Sequence, residues 1–75
     1  MADLRVRSEI AGSVWKIEVA VGDTVAEDEP LAEVEAEKVE ETLESPAAGT
    51  IVEIKVPEGE TVEVRTPVAV IETDE

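Results

Sequence analysis

Three lysines, Lys16, Lys38 and Lys55, carry the side-chain amines on which a covalent chemistry could be built. Lys16 and Lys55 lie in stretches where apolar and charged residues alternate, so each is expected to be a solvated charge on the outer face of a strand. Lys38 lies instead in the short acidic segment Glu35-Ala36-Glu37-Lys38-Val39, between two regular stretches. It is a nucleophilic amine that a modifying enzyme would find at a fixed place.

The remaining residue types argue against catalysis in the chain itself. There is no histidine and no cysteine, which excludes Ser-His, Cys-His and zinc arrangements and leaves the serines without an evident base. Carboxylates are plentiful, as in Glu27-Asp28-Glu29, but acid-base catalysis needs one of them desolvated, and the spacing is not that of a calcium loop. We expect no catalytic residue and no metal site, so the chain is not predicted to be an enzyme.

Length and charge narrow the setting in which the chain works. Residues 1–75 suffice for one small domain. The formal charge of −14 repels phosphate backbones and anionic lipids, and no apolar run approaches the roughly 20 residues that span a bilayer. We expect a soluble, cytoplasmic, monomeric domain that binds neither nucleic acid nor membranes. Its acidic surface is either simply solvated or docks on a basic partner.

An internal repeat is the strongest signal in the sequence. A shift of 37 positions places Ala11-Gly12-Ser13-Val14 on Ala48-Gly49-Thr50-Ile51 without a gap. Identical residues then coincide at Ile17 and Ile54, Val19 and Val56, Gly22 and Gly59, Thr24 and Thr61, Val25 and Val62, Pro30 and Pro67, Ala32 and Ala69, and Glu35 and Glu72. The chain is one motif present twice.

Each half of the repeat is predicted to form strands. The predicted strands are, in chain order, Trp15–Val19, Thr24–Val25, Leu31–Glu35, Glu40–Leu43, Val52–Val56, Thr61–Val62 and Val68–Glu72. The first and the fifth alternate apolar and charged residues with period two, and Trp15 is expected to belong to the core. Gly22 and Gly59 supply the positive φ of a tight turn, and Pro30 and Pro67 open strands at positions where a missing N–H is harmless. No sustained apolar stripe supports a helix.

The two halves are expected to pack against each other, because neither can bury its own apolar face. The predicted fold is all-β, a flattened β-barrel or sandwich of two four-stranded halves related by a pseudo-two-fold axis. The junction of the halves, residues 36–39, then forms a protruding hairpin that carries Lys38. The shift of 37 positions maps Lys38 onto Met1 and Glu75, so the chain ends and the hairpin are expected at opposite poles.

These features together resemble a known family. The duplicated halves, the two turns Val-Gly-Asp-Thr-Val and Glu-Gly-Glu-Thr-Val, and the segment from Glu35 to Val39 are similar to a biotinyl/lipoyl attachment domain over nearly the whole chain. The resemblance implies that a protein ligase joins a cofactor to Lys38 through an amide, and that the resulting arm carries an intermediate between active sites. Glu35, Glu37 and Val39 are then the residues of the turn that the ligase recognises.

The residues that flank Lys38 bear on the choice of cofactor. Biotin carriers resemble Met-Lys-Met and lipoyl domains resemble Asp-Lys-Ala or Asp-Lys-Val, so Glu37 and Val39 favour lipoic acid. The stretch from Val6 to Trp15 is more similar to biotin carrier proteins, which keeps biotin as the alternative. The implied partners are a lipoate or biotin protein ligase and catalytic subunits of a 2-oxo acid dehydrogenase-type complex or a biotin-dependent carboxylase. An unmodified structural or adaptor module of the same fold is the third interpretation.

Overall fold

Eight β-strands make up the fold. The computed structural model describes residues 2–73, and every regular element within that range is a strand, as predicted. The strands are β1 (Ala2–Arg7), β2 (Gly12–Ile17), β3 (Thr24–Val25), β4 (Pro30–Glu35), β5 (Glu40–Glu44), β6 (Gly49–Ile54), β7 (Thr61–Val62) and β8 (Pro67–Thr73). The short strands β3 and β7 have the predicted bounds, and the two prolines open β4 and β8 as the sequence indicates.

The strands form two antiparallel four-stranded sheets. Sheet A has the order β1-β8-β6-β3, and sheet B has the order β5-β4-β2-β7. A shift of 37 residues turns the strands of sheet A into those of sheet B in the same order, so each sheet is the pseudo-symmetric image of the other. The sheets are not closed into a barrel, and of the two predicted architectures the molecule adopts the sandwich.

Each sheet combines strands from both halves of the repeat. Sheet A takes its outer strands β1 and β3 from the first half and its central strands β8 and β6 from the second half, and sheet B does the reverse. The two predicted four-stranded halves are therefore repeats in the sequence, but neither forms a sheet of its own, because each sheet contains two strands from each half.

The core lies between the two sheets and has the same symmetry. Its most deeply buried apolar side chains come in equivalent pairs, which are Val14 and Ile51, Leu31 and Val68, and Val34 and Ile71. Fully burying a side chain of this kind stabilises the fold by about 1.5–3 kcal/mol. These short aliphatic residues suit two thin sheets that pack closely, which explains how a chain with a single aromatic residue builds a core.

A β-bulge interrupts the predicted alternation in each half. The register of β2 on β4 shifts at Trp15, and the register of β6 on β8 shifts at Val52. A bulge adds one residue to its strand, so the side chains beyond it no longer follow the original alternation of faces. Trp15 is 44% exposed, whereas Val14 before it is fully buried. The prediction that Trp15 belongs to the core is therefore wrong.

The turns of the two halves have matching backbone geometry. Gly22 and Gly59 have φ angles of 98° and 95°, which confirms the predicted use of glycine at these turns. Asp28 and Arg65 are a second equivalent pair, with φ angles of 69° and 71°. This is the left-handed region, which is energetically costly for residues that carry a side chain.

The chain ends themselves, Met1 and Glu75, lie outside the described residues, so their placement opposite the hairpin stays a prediction. The nearest described residues, Ala2 and Thr73, lie opposite each other in sheet A. They are equivalent to the two residues that flank the tip of the β4-β5 hairpin in sheet B. The molecule extends 37 Å along its longest axis and 17 by 16 Å across it.

Candidate functional site

The predicted hairpin between the two halves joins β4 to β5 and carries Lys38. The turn is closed by the N–H of Ala36, which donates to the carbonyl oxygen of Val39 at 2.8 Å. The two residues between them, Glu37 and Lys38, are exposed. Because β4 is a central strand of sheet B, the hairpin extends from a well-packed base, and Lys38 is held in a defined place that is open to solvent.

The four residues predicted for the site lie together on this hairpin. Lys38 and Glu37 form its tip, Val39 follows with 51% of its surface exposed, and Glu35 is the exposed last residue of β4. They present carboxylates and one apolar side chain around the amine. A ligase that docks on the hairpin would meet all four, and their roles in recognition stay a prediction.

Gly12 brings strand β2 close against the base of the hairpin. A Cβ atom at this position would clash with the backbone carbonyl oxygen of Glu35 and would lie 3.3 Å from the backbone nitrogen of Ala36. Its equivalent Gly49 packs in the same way on the backbone carbonyl of Glu72. In the sequence alone, Gly12 is only a marker of the repeat. A glycine that recurs at the start of two equivalent strands is the signal that could have indicated this close approach.

An open groove lies beside the hairpin on the outside of sheet B. It is lined by the hairpin from Glu35 to Glu40, by residues 11–13 and by Thr61. Small side chains at residues 11–13 leave this space unfilled. The contribution of residues 11–13 and Thr61 was not predicted from the sequence, because a repeat does not show which strands flank the hairpin.

Lys38 is the lysine that has no ion pair within the described part of the chain. The Nζ of Lys16 lies 3.8 Å from a carboxylate oxygen of Glu18, and the Nζ of Lys55 lies 3.4 Å from one of Glu53. The repeat makes these two pairs equivalent, with Lys16 at the position of Glu53 and Glu18 at the position of Lys55. Exposed ion pairs of this kind contribute about 0–1 kcal/mol to stability. Among residues 2–73, Lys38 is therefore the lysine whose amine is left free for a partner.

The other polar groups of the described structure do not assemble a catalytic centre. Among residues 2–73, no cluster of three or more His, Cys, Asp or Glu side chains is arranged to hold a metal ion. Ser8 and Ser45 are buried, and the hydroxyl of each donates to a backbone carbonyl two residues later, so both order turns. Separately, the described range has no helix with the length and apolar character needed to cross a membrane.

The solved structures that resemble this chain include two carboxylases whose matches cover nearly all of it. The urea carboxylase of Kluyveromyces lactis is 32% identical with a TM-score of 0.87, and the match covers 96% of this chain. A single-chain, multi-domain long-chain acyl-CoA carboxylase is 29% identical with a TM-score of 0.82, and that match covers 97%. The chain spans only 6% and 7% of the lengths of these two proteins. A search of the curated proteins gave no match.

A family profile also matches the chain, over residues 6–71, and its description is "Biotin-requiring enzyme". The matched range includes the core of both sheets, both bulges and the whole β4-β5 hairpin with Lys38. The two turns and the segment from Glu35 to Val39, on which the resemblance in the sequence was based, all lie within this range. The chain belongs to the biotin/lipoyl attachment family and is a carrier domain.

Proposed function

We propose that this chain is the biotin carrier domain of a carboxylase, with biotin joined to Lys38 by an amide bond. The observation that carries the proposal is the similarity of almost the whole chain to parts of two carboxylases, at 32% and 29% identity. In a biotin-dependent carboxylase a carrier domain moves the carboxyl group, and biotin supplies that chemistry through its ureido ring when it is bound. This similarity favours biotin, whereas the residues that flank Lys38 favour lipoic acid.

The hairpin supports this function by the way it holds the attachment point. Lys38 is exposed, so a ligase can reach its amine, and the surrounding turn is closed by a backbone hydrogen bond. A group tethered at this place explores only the volume that its arm can sweep. For short links this gives an effective concentration on the order of millimolar at an active site within reach.

Lys38 is proposed to accept the cofactor, and three neighbours are proposed to guide the ligase. Glu37 and Val39 are its direct neighbours at the tip and are both exposed. Glu35 lies at the base, where its backbone is held against Gly12. These residues define the surface around the amine, so they are the ones by which a ligase can distinguish this lysine from Lys16 and Lys55.

Lipoylation of the same lysine is the second candidate, because Glu37 and Val39 resemble the flanks of lipoyl lysines. The arm would then carry acyl groups between catalytic subunits of a 2-oxo acid dehydrogenase-type complex. Both candidates use the same amine on the same hairpin. The ligase that accepts the domain therefore distinguishes them.

Intact mass after incubation with ATP, biotin and biotin protein ligase, or with ATP, lipoate and lipoate protein ligase, tests the proposal. We expect one biotin per chain, none in Lys38→Arg, and unchanged loading in the matched controls Lys16→Arg and Lys55→Arg. Lys38→Arg is expected to keep the fold, since exposed substitutions change stability by less than about 0.5 kcal/mol. Loading with lipoate alone would favour the second candidate, and loading with neither would contradict the carrier proposal.

A further inference from the structure

A row of polar side chains crosses sheet B at the base of the β4-β5 hairpin. The register places Thr61 opposite Ser13, Ser13 opposite Glu35, and Glu35 opposite Glu40. Directly opposed residues share a face of the sheet, and the adjacent Val14 is fully buried, so the row faces outward. All four residues line the groove beside the hairpin. The row offers two hydroxyls at one end and two carboxylates at the other.

Trp15 lies close to this row on the outside of the sheet. It follows Ser13 by two residues in β2, which is about 7 Å along a strand, and 44% of its surface is exposed. It is the one aromatic residue in the sequence. The surface next to the hairpin therefore combines a hydrogen-bonding row with an accessible apolar ring.

We propose that the biotin head group, once attached to Lys38, folds back onto this row. The inference rests on the proposed function, because a cyclic urea fits the chemistry of the row. Its carbonyl oxygen accepts hydrogen bonds from the hydroxyls of Ser13 and Thr61, and its N–H groups donate to the carboxylate of Glu35. Its apolar sulfur-containing ring contacts the indole of Trp15. The dithiolane ring of lipoate has neither an N–H nor a carbonyl group to match the row.

The length of the arm allows this contact. The lysine side chain and the acyl chain of biotin comprise about eleven bonds of about 1.5 Å, which extend on the order of 14 Å from the Cα atom. Glu35 is three residues from Lys38, so their Cα atoms are at most about 11 Å apart. Ser13 is one strand spacing further, about 5 Å. The hydrogen-bonding row therefore lies within the volume that the arm sweeps.

The test compares the biotinylated protein with the unmodified protein. Intact mass first establishes that the sample carries biotin, and amide NMR spectra and tryptophan fluorescence are then recorded. We expect the amide signals of Ser13 and Thr61 to shift and the emission of Trp15 to change. We also expect streptavidin to capture biotin about fivefold more slowly from the wild-type protein than from a variant that lacks the two hydroxyls. A factor of about five is the ratio of folded-back to free head group that about one net hydrogen bond, roughly 1 kcal/mol, produces.

The pseudo-symmetry supplies a matched control for this experiment. Thr24, Thr50 and Glu72 form the equivalent row on sheet A, which has the same kinds of side chain without an attachment lysine beside it. The double substitution Ser13→Val and Thr61→Val is expected to remove the NMR shifts caused by biotin and to speed capture by streptavidin. The equivalent double substitution Thr50→Val and Thr24→Val is expected to leave both unchanged.

The outcomes separate this inference from the proposed function. Signal changes confined to residues 36–40 of the biotinylated protein, with equal capture rates for the two double variants, would overturn the fold-back and leave biotinylation in place. If biotin ligase adds no mass, the proposed function fails. The fold-back is then tested on Lys38→Cys coupled to a biotin maleimide, since the chain has no other cysteine. Shifts at Ser13 and Thr61 in that conjugate support the inference, and their absence overturns it.

Discussion

Lys38 is flanked by a carboxylate and an aliphatic side chain, Glu37 and Val39, and both are exposed. Replacing both by methionine removes a negative charge and gives the Met-Lys-Met pattern that biotin carriers resemble. We expect the ratio of the biotinylation rate to the lipoylation rate to rise roughly tenfold, which corresponds to about 1.4 kcal/mol of discrimination. Time courses by intact mass with each ligase measure the ratio. An unchanged ratio would mean that the ligases do not recognise these two side chains.

Gly12 packs against the base of the hairpin that carries the proposed attachment lysine. In Gly12→Ala, the new methyl group meets the backbone of Glu35, so we expect a loss of stability of about 1–3 kcal/mol and a slower ligase reaction because the hairpin moves. Gly49→Ala meets the backbone of Glu72 and a methyl group of the buried Ile71 side chain, and it is the control at the position equivalent to Gly12. It should lose at least as much stability while the folded protein keeps its ligase rate.

Urea unfolding and ligase rates measured under folding conditions check this pair of variants. Equal ligase rates for Gly12→Ala and Gly49→Ala would show that the position of the hairpin does not depend on its contact with β2.

At the scale of the strand, the bulges show where prediction from the sequence stops. Period-two alternation grouped Trp15 with the apolar residues that follow it, but the extra residue in β2 leaves Trp15 exposed and puts Val14 in the core. Local composition does not mark a bulge. Comparing the two halves does give one indication of which residue is buried. Val14 and Ile51 are both aliphatic, as a shared core position requires, whereas Trp15 and Val52 differ widely in size.

The turns that lead into β4 and β8 store strain that a single substitution can relieve. Arg65 has a φ of 71°, a conformation that costs a residue with a side chain roughly 1–2 kcal/mol. Arg65→Gly should raise the free energy of unfolding by roughly 0.5–1 kcal/mol after the greater chain entropy of glycine is subtracted. This variant keeps the hydrogen bond in which Arg7 Nη1 donates to the backbone carbonyl oxygen of residue 65 at 3.0 Å, because the acceptor belongs to the backbone.

Asp28→Gly at the equivalent turn is the comparison, since aspartate tolerates the left-handed region better than arginine. Its gain in stability in urea denaturation should therefore be smaller. A gain for Asp28→Gly as large as that for Arg65→Gly would contradict the strain argument.

At the scale of the whole molecule, the interleaved sheets make each half of the repeat dependent on the other. A peptide of residues 1–37 contains β1 to β4 but lacks the central strands of sheet A and the outer strands of sheet B. We expect it to be unfolded by circular dichroism, and we expect strand signal to return when a peptide of residues 38–75 is added. A stable sheet in either peptide alone would contradict this interdependence.

Period-two alternation and the turn residues predicted the all-β class. The repeat predicted the sandwich option, the hairpin and the equivalence of positions such as Gly22 and Gly59, because each of these follows from comparing two similar segments. The pairing of strands from one half with strands from the other half was not predictable in this way. Two equivalent segments can pair within themselves or with each other, and their equivalence does not distinguish the two cases. The groove followed from that pairing. Ser13 and Thr61 meet only because β2 of one half pairs with β7 of the other.

The pairing of Ala2 with Thr73 at the outer ends of β1 and β8 has a consequence for protein engineering. A two-residue link between these positions would repeat the geometry of the β4-β5 hairpin and turn the backbone into a closed ring. Reopened at one of the other turns, that ring is a circular permutant with the same two sheets. A lysine placed in the new link would stand in sheet A where Lys38 stands in sheet B, and the result would be a carrier with two arms, one on the β4-β5 hairpin and one on the new β8-β1 link.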